Sequence, residues 1–217
     1  MTVAFFDIDK TILSVNSAKR WIRFELDRGS ISKRQALRGV FWAGLYGLGL
    51  ADVEHFLHEA IAQLEGREEE TLREETRAFF EREIRDTIRP GAWGALDRHR
   101  ERGDSIVLLT SSSIYMAEAV QDAVKADDAL GNTFVVEDGI FTGRPNLPLC
   151  YHSGKIAHAT RWVNENDESL ADASFYTDSF TDLPMLEVVG EPIVVHPDPR
   201  LKREAQKRGW KIQSWGQ

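Results

Sequence analysis

The sequence predicts an α/β protein: a doubly wound parallel sheet carrying an inserted α-helical cap. Three observations predict it. From Arg89-Pro90-Gly91 onward, short β-prone runs alternate with helix-length amphipathic runs, the pattern left by crossover helices joining parallel strands. An apolar run, Val3-Ala4-Phe5-Phe6, opens the chain as one more buried strand. Between that strand and Arg89 the residues read as helical almost throughout. Helices need partners for their apolar faces, so this block should form a small bundle of its own.

The elements follow in order. Asn16 or Ser17 suits the N-cap of a first helix that ends before Gly29-Ser30. Residues 33–88 continue as helix: Val53, Phe56, Leu57, Ala60, Ile61 and Leu64 form one apolar stripe. Leu72, Thr76, Phe79, Phe80, Ile84 and Ile88 repeat it. A helix over 92–102 stops at Gly103, a strand covers 105–109, and a helix runs from about Tyr115 to Lys125. Phe134-Val135-Val136 and Gly139-Ile140-Phe141-Thr142-Gly143 read as two short strands around Glu137-Asp138, a hairpin pattern. A helix over 155–166, strand 174–177, helix 182–189, strand 192–195, helix 199–208 and a short strand near 211–213 complete the order. The expected division is a core of residues 1–15 and 89–217, with 16–88 as the cap.

Composition narrows the function. A chain of 217 residues supports one well-filled core plus a smaller unit. Its net charge of −8 argues against a nucleic-acid partner, because phosphate backbones are held mainly by Lys and Arg. The single cysteine, Cys150, excludes an internal disulfide and a thiolate metal cluster; a buried neutral thiol is the expectation. Residues 3–6 run at once into Asp7 and Asp9, unlike a signal peptide, so a cytoplasmic location is expected. The apolar run Val40–Leu50 falls short of the roughly 20 residues that span a bilayer. Stable membrane insertion is not expected.

Two acidic clusters carry the chemistry. Asp7-Ile8-Asp9-Lys10-Thr11 follows the first strand, and Thr177-Asp178-Ser179-Phe180-Thr181-Asp182 ends a later one. Burying carboxylates at a strand end costs several kcal/mol unless a cation or strong donors compensate. Four such aspartates from distant parts of the chain therefore suggest one shared metal site, and an enzyme. In parallel sheets ligands sit at the carboxyl ends of the strands. Asp7, Thr110 and Asp178 each fall just past a predicted strand end and should converge there.

The first cluster resembles the first motif of the haloacid dehalogenase superfamily. Leu108-Leu109-Thr110-Ser111-Ser112 resembles its second motif, Gly154-Lys155 its third, and Thr177–Asp182 its fourth, all in the superfamily's order. The helical block resembles the cap of the phosphoserine-phosphatase-like branch. This resemblance implies a Mg²⁺-dependent phosphomonoester hydrolase that works through an aspartyl-phosphate. It implies Asp7 as nucleophile and Asp9 as general acid and base. Lys155 and Thr110 would hold the phosphoryl group, with Thr11, Ser111 and Thr181 as further substrate contacts. The implied Mg²⁺ ligands are Asp7, Asp178 and the main-chain carbonyl of Asp9, with Asp182 supporting the metal's water shell.

Three positions depart from the family's pattern. Lys10 and Thr181 stand where relatives often carry a small or neutral residue and an Asn. Asn16 stands where phosphoserine-specific members place a glutamate for the substrate's amino group. The expected substrate is accordingly a small polar phosphate ester, phosphoserine-like or histidinol-phosphate-like. A lipid phosphate, suggested by Val40–Leu50, and phosphoryl transfer to an alcohol acceptor are the catalytic rivals. A binding protein without turnover is a third, disfavoured because Asp7, Asp9, Lys155 and Asp178 are all retained. His55 and His58, spaced i, i+3, have no third ligand in view and read as solvent-facing.

Overall fold

The computed structural model describes residues 2–29, 37 and 53–216, with backbone alone for 53–57. The expected helix over 33–52, the run Val40–Leu50 and the side chain of His55 lie outside the described residues. The strands are β1 (Val3–Phe6), β2 (Ser105–Ser113), β3 (Asp128–Asn132), β4 (Phe134–Glu137), β5 (Ile140–Pro145), β6 (Ser174–Thr177), β7 (Glu191–Val195) and β8 (Lys211–Gln213). The helices are α1 (Ser17–Asp27), α2 (Val53–Ala62), α3 (Glu69–Phe79), α4 (Pro90–Arg102), α5 (Ile114–Val124), α6 (Gly154–Glu165), α7 (Leu183–Leu186) and α8 (Pro199–Arg208).

Six strands form one sheet in the order β3-β2-β1-β6-β7-β8. Every pairing in it is parallel. The chain works outward from β1 through β2 to β3, then returns to β1's other side with β6. That reversal between β1 and β6 is the switch point of a doubly wound sheet. Successive residues of β1 enter opposite cores. Ala4 and Phe6 join Ala92, Leu96 and Val120 on one face. Val3 and Phe5 join Trp162, Phe175 and Leu201 on the other. A strand buried on both faces has no use for polar alternation, which is why Val3–Phe6 reads as a continuous apolar run. Phe5 and Phe6 are fully buried, and each contributes about 1.5–3 kcal/mol by leaving water.

Two strand expectations need correction. β2 continues to Ser113, four residues beyond its expected end, so Thr110 lies within the strand rather than past it. β3, Asp-Ala-Leu-Gly-Asn, was not expected as a strand at all. It has no β-branched residue and a glycine inside; its strand form comes from pairing with β2, Val107 to Asp128 through Leu109 to Leu130. The helix expected over 182–189 shortens to a turn at Phe180–Asp182 followed by α7.

The β4–β5 hairpin turns through Asp138 and Gly139, both with positive φ (50° and 79°). Its backbone is stitched to the segment joining α2 and α3. Gly66 N donates to Phe141 O at 2.9 Å, Phe141 N to Arg67 O at 2.9 Å, and Glu69 N to Gly139 O at 2.8 Å. The hairpin thus leans on the helical block although it lies in the part of the sequence expected to be core.

Candidate active site

At the switch point, β1 and β6 end side by side, and Asp7 N still donates to Tyr176 O at 2.9 Å. The chain then leaves the sheet in a wide turn, Ile8–Ile12, closed by Leu13 N donating to Ile8 O at 3.0 Å. Within it Lys10 adopts φ 60°. This turn folds Asp7 and Asp9 back over the strand ends. The Asp7 carboxylate accepts from Thr11 Oγ1 at 3.3 Å and from Lys155 Nζ at 2.8 Å.

Lys155 is about 1 % exposed and donates at 2.8 Å to Asp182 as well. Thr177 Oγ1 donates to the same Asp182 oxygen at 2.6 Å. A lysine in the first turn of α6 opposes the helix dipole. Here two carboxylates compensate: burial lowers the ammonium's pKa, but Asp182 and Asp7 outweigh it and hold the group protonated. Gly154 lets this turn form. A Cβ there would stand 1.9 Å from Leu149 O. The Gly-Lys pair is thus one glycine for close backbone approach and one buried charge.

Asp178 follows β6 and is buried. Its main-chain O accepts from Asp198 N at 2.9 Å, and Asp198 in turn accepts from Phe180 N at 2.6 Å. Thr110 is buried in β2, where its hydroxyl accepts from Ser112 N at 3.2 Å. The register that pairs Phe6 with Leu108 and Tyr176 brings Asp7, Thr110 and Asp178 to one edge of the sheet. The fold thus brings together Asp7, Thr110 and Asp178, as expected, and Lys155 and Asp182 join Asp7 there. Ser111 lines a cavity beside Asp9. Thr181 turns its hydroxyl to Ser179 Oγ at 2.8 Å.

The model of one family, haloacid dehalogenase-like hydrolases, matches residues 4–187, which include Asp7, Asp9, Thr110, Lys155, Asp178 and Asp182. The chain belongs to that family. A histidinol-phosphatase of Neisseria meningitidis is 28 % identical over 97 % of each chain. A phosphoserine phosphatase of Mycobacterium tuberculosis is 30 % identical, covering 98 % of this chain and 70 % of that one. A solved structure of a Bordetella pertussis protein of unknown function superposes with a TM-score of 0.87, 26 % identity and 98 % coverage of both chains. The expected phosphatase-type haloacid dehalogenase-like hydrolase is what the two relatives support, and the superposed structure shares the fold.

In this hydrolase four carboxylates crowd together, and the buried lysine Lys155 bonds two of them, Asp7 and Asp182. Burial pushes Asp7 up to about 7, with Lys155 opposing and Asp182 adding to the rise. Burial also raises Asp9, and Asp178 stands well above the ordinary carboxylate range through burial and then the Asp7 charge. Such a pocket lacks positive charge. Among the described residues no three His, Cys, Asp or Glu side chains form a ready-made ligand set. The available donors are instead the carboxylates of Asp7 and Asp178 and the backbone oxygens beside them. Two carboxylates completed by carbonyl and water fit Mg²⁺, which keeps several waters. Asp182 is engaged by Lys155 and Thr177, so its first partner in this structure is the lysine.

Three contributors, Ser17, Arg89 and Asp198, were not singled out in the sequence as site residues. Asn16 Nδ2 donates to Asp9 Oδ2 at 3.1 Å, and Ser17 N donates to Asp9 Oδ1 at 3.0 Å. Ser17 was legible only as a cap candidate and Asn16 also as a departure from the family's pattern, and Asn16 does cap α1 through Lys19 N at 3.0 Å. Arg89, read as an exit signal, is buried and donates to the main-chain O of Lys10 at 3.4 Å and to that of Gly216. Asp198 had a legible signal, an aspartate heading Pro199 and a helix, and it caps α8.

Proposed function

We propose that the chain is a Mg²⁺-dependent phosphomonoester hydrolase working through an aspartyl-phosphate on Asp7. One observation carries this reading: Asp7, Asp9, Lys155, Asp178 and Asp182 are gathered at the switch point, with Asp7 held between Thr11 and Lys155. An Asp7 oxygen attacks phosphorus, the bond to the alcohol breaks, and Asp9 gives that alcohol its proton. Water then attacks the aspartyl-phosphate, Asp9 takes the water's proton, and Asp7 is released with inorganic phosphate. The raised pKa of Asp9 suits its acid role. Lys155 and the Thr110 hydroxyl stabilise charge on the phosphoryl oxygens, with Ser111 beside them. Bound through Asp7, Asp178 and the Asp9 carbonyl, Mg²⁺ would supply charge neutralisation between the nucleophile and the phosphate.

The substrate is a small phosphate ester of the kind named in the two relatives, phosphoserine-like or histidinol-phosphate-like. Both ends of the Asn16 amide are engaged, by Asp9 and by the α1 amide. It offers an ammonium no charge. We assign residues 16–88 the role of a cap that excludes bulk water during turnover. No helix among the described residues is long and apolar enough to cross a membrane. A cytoplasmic enzyme acting on a soluble ester accords with that.

The test is phosphate release from a panel of monoesters, with Mg²⁺ and with EDTA, by wild type and Asp7→Asn. Release that needs the metal and is abolished by the substitution supports the reading. Release that persists in Asp7→Asn removes it, and release only in the presence of an alcohol acceptor would mean phosphoryl transfer.

A further inference from the structure

The face of the site from which the alcohol must leave is apolar. A cavity of about 360 Å³ opens beside Asp9, within the size range of small-molecule pockets, about 300–1,000 Å³. Its wall is built from Trp21 and Ile22 on α1, Ile61 on α2, Leu64 just after it, Met116 on α5 and Phe134 on the hairpin. Polar residues also line it, but their groups are engaged by the protein itself. Thr76 Oγ1 donates to Leu72 O at 2.8 Å, and Asn132 bridges Ser111 O at 2.7 Å and Cys150 N at 2.8 Å. Ser17 and Ser112 share a hydrogen bond at 3.1 Å.

Apart from Asp9, the one charged side chain on the wall among the described residues is Arg67, and its guanidinium is paired with Glu75 at 2.7 Å. An amino-acid alcohol placed here would desolvate an ammonium and a carboxylate against groups that are already paired, at a cost of several kcal/mol. A second cavity, about 660 Å³, lies past Asn16 and is basic, lined by Lys10, Lys19, Arg20, Arg23 and Arg82. Asp9 lines the apolar cavity and not the basic one. The acid that must reach the leaving oxygen therefore faces the apolar side.

We propose that the substrate is the phosphate ester of a compact alcohol with an uncharged apolar or aromatic body, seated between Trp21, Ile22, Leu64 and Phe134. This rests on the phosphomonoesterase reading above and sharpens its leaving group from polar to apolar.

The experiment compares kcat/KM for methyl, butyl and phenethyl phosphates with that for phosphoserine and 3-phosphoglycerate, in the full-length protein with Mg²⁺. All are alkyl esters, so leaving-group acidity varies less than body polarity. The expected result is a rise from methyl to phenethyl phosphate of at least about tenfold, consistent with burial of several methylenes, and phosphoserine below both. Ile22→Glu should pull the phenethyl-to-methyl ratio toward one. Leu64→Ser gives the same reading with a smaller change of volume should the first variant fail to fold. Equal or better turnover of phosphoserine overturns the proposal and leaves the hydrolase reading intact. A preference for 3-phosphoglycerate overturns it in favour of the basic cavity. If no ester is turned over, calorimetry with phenethylphosphonate and with 2-amino-4-phosphonobutyrate decides. Tighter binding of the former, weakened by Leu64→Ser, supports the apolar pocket even as the catalytic reading falls; equal binding overturns it.

Discussion

Two buried polar clusters sit in this molecule; burial disfavours charge in both, and their neighbours have opposite consequences for their carboxyls. Around Asp7 at the carboxyl ends of the strands, like charges crowd together and three carboxyls are raised. Under the sheet, His99 bonds Asp104 at 2.9 Å and the Tyr176 hydroxyl at 2.9 Å, while Thr2 donates to Asp104 at 3.0 Å. There burial lowers His99, and Asp104 lies below its ordinary value, because hydrogen bonds from His99 and Thr2 outweigh the burial that raises it. Each group in that second cluster meets a complementary partner, and the cluster is closed. The Asp7 cluster holds more carboxyl groups than its lysine compensates. Perturbed pKa values mark both, but only the sign of the neighbours separates function from packing.

The largest effect that would break the comparison is on turnover. Asp7→Asn should lower kcat by at least about 10³-fold with no loss of fold, whereas His99→Gln should leave kcat unchanged, by steady-state phosphate release. Next comes stability. Lys155→Met strands Asp7 and Asp182 and should cost about 3–5 kcal/mol in urea unfolding of the metal-free protein. A cost under about 1 kcal/mol would mean that the buried triad is not what organises the site. His99→Gln should cost about 1–3 kcal/mol through its lost hydrogen bonds.

The smallest effect is the pH dependence, and it has opposite slopes in the two clusters. The Asp7 carboxyl, raised from 3.8 to about 7, makes the native state hold a proton that the unfolded chain has released. Its contribution is therefore full below about pH 3.8 and fades as pH rises toward about 7. Asp7→Asn should flatten that fall in metal-free protein, and Mg²⁺ should bind more tightly as pH rises through the same window. His99 is lowered, so its contribution fades as pH falls below its ordinary 6.5. His99→Gln should flatten that acid-side loss, read from urea midpoints across pH 5 to 8.

Much of this was legible in the sequence because strand and motif coincide. Val3–Phe6 is apolar without interruption because both faces of β1 are buried, and the aspartates begin where the sheet ends. Asp7, Thr110 and Asp178 could be brought together because a parallel sheet sends its strand ends to one edge; Asp9 and Asp182 belong to the same acidic clusters, and Lys155 was named through the resemblance of its motif. β3 could not be seen, since Asp128–Asn132 takes its conformation from β2 and not from its own side chains. Nor could the allegiance of Asp182 to Lys155, which depends on where α6 begins and on the room Gly154 leaves under Leu149.

Local pattern by itself pointed to the fold class, the order of the motifs and an enzyme with clustered carboxylates, since periodicity and strand-end chemistry are properties of short segments. Tertiary structure alone decided what faces Asp9. Trp21, Ile61, Met116 and Phe134 come from four elements far apart in the chain, and each reads singly as an ordinary core residue. Their apolar wall exists only after α1, α2, α5 and the hairpin are brought together. Selectivity is written in packing between segments, and a linear sequence does not state which segments meet.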